Sequence, residues 1–140
     1  MANTAVDIGT GASVVFTTSQ LALNFTSMSL GTQTVDIIDT THLGTTGQKT
    51  VMGGDLVNPG EVTMEFQWDN EAGPSVSPTA EVITITFPQS ASNTTSAATY
   101  AGTGIISSIT YPTLGIEELQ TGSLTITWDG ATDVVYTDGV

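Results

Sequence analysis

The chain has 140 residues, 39% of them hydrophobic, with a mean hydropathy of +0.15, which suits one domain with a core of its own. Fourteen carboxylates face a single Lys and no Arg, for a formal net charge of −13. Such a chain lacks the cations that displace counterions from phosphates, which excludes nucleic-acid binding and adhesion to anionic lipid. Charged residues are only 11% of the total, and Thr, Ser and Gly fill the gap, a mixture foreign to disordered chains and to helix-rich domains. No Cys is present to form a disulfide or a thiolate metal site.

Residues 1–12, MANTAVDIGTGA, are small and polar and read as a flexible N-terminal arm, with neither the basic nor the apolar region of a signal peptide. A short strand follows over 13–18. In 20–30 the alternation Leu21, Leu23, Phe25 slips by one to Met28 and Leu30, which predicts a bulge or a bend. A strand over 32–38 leads into 39–60, the longest segment without hydrophobic periodicity, read as a long loop. The clearest strand is 61–69: Val62, Met64, Phe66 and Trp68 point to the core, and Glu61, Thr63, Glu65, Gln67 and Asp69 point away. Strands over 81–87, 98–111, 123–129 and 133–137 complete the chain. DGATD at 129–133 reads as a hairpin turn, and LGIEELQ at 114–120 as one or two helical turns. The whole is a single all-β domain over 1–140, a sandwich or barrel with at most one short helix.

Residues able to do chemistry are few. His42 has no second His or Cys beside it, and Asp36, Asp39 and Asp55 follow no metal-loop spacing, so the expectation is no catalytic residue, no metal and no cofactor. Glu61 and Glu65, four residues apart on a strand, sit about 13 Å from each other, too far for either glycosidase geometry. Lys49 is the one cation, and in so acidic a chain it reads either as a solvated loop residue or as an ion pair to a neighbouring subunit.

The order of the pieces carries more than any motif. VDIIDTTHL runs into a Gly/Thr loop, the loop ends in GGDLVNPGEVTMEFQWD, then come VITITFP, YAGTGIISSI and TGSLTITWDG. From about Leu21 to Gly130 this resembles the tail tube (major tail) proteins of long-tailed bacteriophages. The family's helix after the Glu-led strand is not supported here, because Gly73, Pro74 and Pro78 interrupt that interval. The resemblance implies a non-enzymatic structural protein of the virion tail, made in the host cytoplasm. Its copies stack as rings, hexameric in that family, into a tube through which DNA passes without specific binding. Tape measure, tail terminator and distal tail proteins are the implied partners, with no membrane involved. On that basis Glu61, Glu65 and Asp69 are expected to face the lumen, and His42, Lys49, Met52 and Asp55 to lie in an inter-subunit or inter-ring loop. A tube protein of a contractile injection system, or a β-sandwich decoration or adhesin module, would share much of this pattern.

Overall fold

The computed structural model describes residues 11–90 and 94–140. The arm expected over 1–12 therefore lies, apart from its last two residues, outside the described residues. Nine strands appear among these residues and no helix: β1 Ser13–Phe16, β2 Asn24–Ser29, β3 Thr34–Asp39, β4 Val51–Asn58, β5 Glu61–Gln67, β6 Glu81–Thr86, β7 Thr99–Thr110, β8 Thr121–Trp128 and β9 Val135–Thr137. The all-β reading is borne out. The helical turns expected over 114–120 do not form. That segment makes a turn in which Glu117 takes a left-handed φ of 58°, a conformation that no right-handed helix contains.

Seven strands make one antiparallel sheet in the order β1-β6-β7-β8-β5-β2, with β9 on β7. The sheet curls around its apolar face. Val62, Met64 and Phe66 of β5, Ile83 and Ile85 of β6, and Leu124 and Ile126 of β8 are all buried there. Alternation puts them on one side of their strands, so a single curled sheet supplies the whole core. The two outermost strands meet across the open seam, where the Phe16 ring stacks on Phe25 at 6.5 Å between centroids. Phe25, Phe66, Trp68 and Tyr111 continue as a chain of ring contacts at 5.4 to 6.1 Å. Such offset and edge contacts add about 0.5–1.5 kcal/mol each beyond burial.

The slip read at 20–30 is a real irregularity. The β2–β5 register shifts between Phe25 and Ser27, so Phe25 and Met28 both reach the core cluster. On β7, Gly102 and Gly104 lie beneath the Trp128 ring: a Cβ on Gly104 would approach Ile126 Cγ2 to 2.7 Å and Trp128 Cε3 to 3.0 Å. Trp128 is buried, and its Nε1 is the one buried side-chain polar atom among the described residues with no hydrogen-bond partner. Its large apolar surface outweighs one unpaired donor, which costs about 1–3 kcal/mol.

The DGATD segment is not a hairpin turn. β8 and β9 lie on the same edge of β7 and run in the same direction. Gly104 pairs with Trp128 and Ala101 with Val135, so three steps along β7 are matched by seven along the other chain. One strand is interrupted by a loop-out that is tied back by Asp129 N to Thr103 O at 2.9 Å and Thr132 Oγ1 to Thr103 Oγ1 at 2.8 Å.

Because burial on one face carries the stability, Phe66→Ala is expected to lower unfolding free energy by roughly 3–5 kcal/mol. Val15→Ala, on the solvent side of β1, should change it by less than about 0.5 kcal/mol. Urea denaturation of the unassembled chain followed by circular dichroism compares the two.

Candidate functional site

The second sheet holds only β3 and β4, paired antiparallel as a ribbon that touches no other strand. Residues 51–58, placed in a loop by sequence, are therefore strand, and the loop expected over 39–60 reduces to 40–50. The ribbon leaves the barrel between β2 and β5. At its root Gly31 and Gly60 both adopt positive φ, 75° and 77°. A Cβ on Gly31 would strike the carbonyl oxygen of Glu61, and one on Gly60 that of Thr32. The two chains cross closely there, which only glycine permits. Gln33 Nε2, also at the root, donates to Tyr100 OH at 3.1 Å.

Neighbouring strand residues point to opposite faces. Ile37 and Ile38 on β3, and Val51, Met52, Leu56 and Val57 on β4, are all exposed, Leu56 by 82%. Both faces of the ribbon are thus apolar and both are open. Isolated two-stranded ribbons are marginal in water, and exposed apolar patches of this kind mark contact surfaces.

The tip is ordered by its own hydroxyls. Thr40 N donates to Thr50 O at 3.0 Å, Thr40 Oγ1 and Thr50 Oγ1 share a hydrogen at 3.0 Å, and Thr50 N donates to Thr41 Oγ1 at 3.1 Å. His42 is part of this turn: its N donates to Thr45 Oγ1 at 3.0 Å, and its Nδ1 accepts from Gly44 N at 3.1 Å. Side-chain and backbone hydrogen bonds from Thr41 hold the Asp39 carboxyl below the usual carboxylate range. A lowered carboxylate favours the closed tip above the ordinary pKa, and that contribution fades as pH falls through the lowered value. Lys49, Met52 and Asp55 are exposed on the same ribbon, which brings all four residues of the expected contact loop onto one projecting element.

The acidic row is less complete. Glu61 and Glu65 are exposed on the outer face of β5, flanked through the ladder by Thr127 and Ser123 of β8. Ser27 Oγ donates to Glu65 Oε2 at 3.2 Å. Asp69 is not brought into the row. It lies past the end of β5 in a turn, where its Oδ1 accepts from Glu71 N at 2.9 Å. Val62, Met64 and Phe66 are fully buried, whereas Trp68, just beyond β5, is half-buried against the core.

Among the described residues the barrel carries concavities of which two bear on chemistry. A groove of about 670 Å³ at the β1–β2 seam is lined by Phe25, Met28, Leu30, Ile85, Phe87 and Pro88, with no titratable side chain. A smaller one of about 420 Å³ contains Glu81, whose two carboxylate oxygens accept from Ser19 N at 3.0 Å and Ser19 Oγ at 2.7 Å. No group of three metal-ligating side chains comes together among the described residues. The surface with the strongest functional signature is the ribbon, whose strand β4 sequence alone missed because its apolar residues fall on both faces and show no period of two.

With one Lys and no Arg, trypsin has one place to cut, after Lys49 at the ribbon tip. Limited trypsinolysis of the unassembled chain is expected to yield fragments 1–49 and 50–140 only, and the cut should slow wherever the tip is covered. Mass spectrometry of the digest over time checks both.

Neither a family model nor a curated protein matches the sequence. The fold is similar to a chain in the cryo-EM structure of an extracellular contractile injection system, the PVC sheath/tube terminator in extended state. The TM-score is 0.71 at 16% sequence identity, over 94% of this chain and 97% of that one. The likeness extends over nearly the whole length of both chains.

Proposed function

We propose that the chain is a structural, non-enzymatic subunit of a phage-tail-like particle that assembles with its own copies into stacked rings forming a tube. The observation that carries this reading is the ribbon: two open apolar faces on an arm that, among the described residues, packs against no other strand. An element of this kind is completed by neighbours, and the whole-length fold likeness to a chain of a tube-bearing injection machine supports a tail setting. The ring is hexameric in this reading, as in the bacteriophage tail tube proteins that the sequence resembles. The particle tail is its location after synthesis in the host cytoplasm, and tape measure, terminator and distal tail proteins are its partners.

The outer face of the barrel supports a conduit. Around β5, β8 and β7 it presents Glu61, Thr63 and Glu65 beside Thr121, Ser123, Thr125, Thr127 and Ser107, hydroxyls and carboxylates without a cation. Such a wall repels phosphate and leaves DNA free to slide. Six copies at −13 place about −78 on a ring, a field that salt screens within roughly 10 Å. Glu61 and Glu65 are the lumen-facing pair in this arrangement. The likeness to a contractile injection system favours a tube of that branch over a decoration or adhesin module.

Negative-stain electron microscopy across protein concentration and ionic strength tests the reading. Hollow tubes or stacked rings, more abundant at higher salt, are expected. Particles that remain single at every condition, with and without tail initiator proteins, would refute it. Glu61→Gln with Glu65→Gln should leave tube formation intact while slowing DNA passage, measured as ejection rate from particles built with the variant.

A further inference from the structure

The ribbon has a counterpart at the other end of the barrel. The β5–β8 register sets Gln67 against Thr121 and Glu61 against Thr127, so the segment joining β7 to β8 lies at the Gln67 end. The ribbon leaves from the Glu61 end, six strand steps or about 20 Å away. In that joining segment Tyr111, Leu114, Ile116 and Leu119 are exposed, Ile116 by 95%. Glu117 and Glu118 stand among them, and both are exposed. One pole therefore carries an apolar arm with the chain's one Lys, and the opposite pole carries an apolar loop with two adjacent carboxylates.

With no Arg and one Lys, any Lys–carboxylate pair between two copies has to use Lys49. The remaining question is which carboxylates receive it. Away from the ribbon, and among the described residues, large exposed apolar side chains gather around carboxylates in two places. One is the Leu114–Leu119 loop. The other is Val135 and Tyr136 with Asp133 and Asp138, but β9 pairs with the start of β7, at the ribbon's own pole. A side-by-side contact within a ring joins surfaces at the same pole, whereas a contact between stacked copies joins opposite poles and repeats along the tube, so the patch that faces the ribbon of a stacked copy is the Leu114–Leu119 loop.

We infer that the loop 111–119 is the seat for the ribbon of a second copy, with Lys49 of one chain against Glu117 and Glu118 of the next and the apolar tip of the ribbon against Leu114 and Ile116. This rests on the reading that the chain polymerises, and it names the two surfaces that meet head to tail. The apolar contact supplies the adhesion, and the single cation selects the register, because a displaced ribbon would set Lys49 against neutral side chains and its own Asp residues against Glu117 and Glu118.

Zero-length carbodiimide cross-linking tests the seat directly, since one Lys gives few products. An equal mixture of ¹⁴N and ¹⁵N chains is assembled, cross-linked, cleaved with chymotrypsin and read by mass spectrometry. Isotopically mixed peptides joining Lys49 to Glu117 or Glu118 are expected. Tubes whose mixed cross-links join Lys49 only to Asp133, Asp138 or other carboxylates would overturn the seat and leave the tube reading standing. An absence of both tubes and mixed cross-links would overturn the two together. In parallel, Lys49→Glu is expected to raise the critical concentration about fivefold or more. Adding Glu117→Lys and Glu118→Lys to that variant should bring it back towards the wild-type value, with circular dichroism unchanged throughout. Failure of the reversed pair to recover assembly, in chains that fold normally, counts against the inference.

Discussion

Everything in this molecule depends on one sheet burying one of its faces against itself. With a single cation in the chain, internal ion pairing contributes almost nothing, and the apolar faces of β5, β6 and β8 must supply the stability. A flat sheet of this kind would leave its core face wet, so it curls until β1 and β2 meet at the Phe16–Phe25 contact. Three consequences follow from that closure. The outer face has no packing duty and is free to be polar. The barrel acquires two distinct poles. A segment inserted between β2 and β5 has no place inside and must leave as a ribbon.

The parts legible in the sequence are those where one side of a strand is dry and the other wet. Val62, Met64 and Phe66 alternate with Glu61, Thr63 and Glu65, and burial follows that pattern residue by residue. The slip between Phe25 and Met28 signalled a bulge or a bend for the same reason: both side chains have to reach one core. β4 was hidden because a ribbon open on both faces has no reason to alternate, and Gly53 and Gly54 interrupt it further. At 129–134 the turn chemistry is genuine, with Asp129 Oδ1 accepting from Ala131 N at 2.9 Å and Gly130 at positive φ. Those local signals are the same whether the chain reverses or loops out and resumes its direction, and only the β7 register distinguishes the two. The candidate contact residues His42, Lys49, Met52 and Asp55 were visible as a group by their lack of chemistry, but the ribbon that presents them was not. Asp69 was assigned to a strand that stops at Gln67, because alternation continues by chance into the turn.

The charge and the ribbon pull against each other in a useful way. Copies at −13 repel over a screening length, while two apolar faces attract only on contact. In the proposed assembly, a chain built so would stay dispersed when dilute in low salt and join when brought close. A ribbon with Thr-stapled ends brings little disorder to the contact, so less conformational entropy is lost on docking than a bare loop of the same length would lose.

The chain of rings from Phe66 through Trp68 to Tyr111 gives the molecule a built-in optical reporter. Its two indoles sit near opposite poles: buried Trp128 packs over Gly102 and Gly104 and against Tyr100, and half-buried Trp68 lies against Tyr111, the first residue of the 111–119 loop. Whatever settles on that loop changes the dielectric around Trp68 alone. The two emissions can therefore be told apart, with one as an internal standard for the other, and no dye has to be attached to a chain that has no thiol and whose one Lys belongs to the proposed contact.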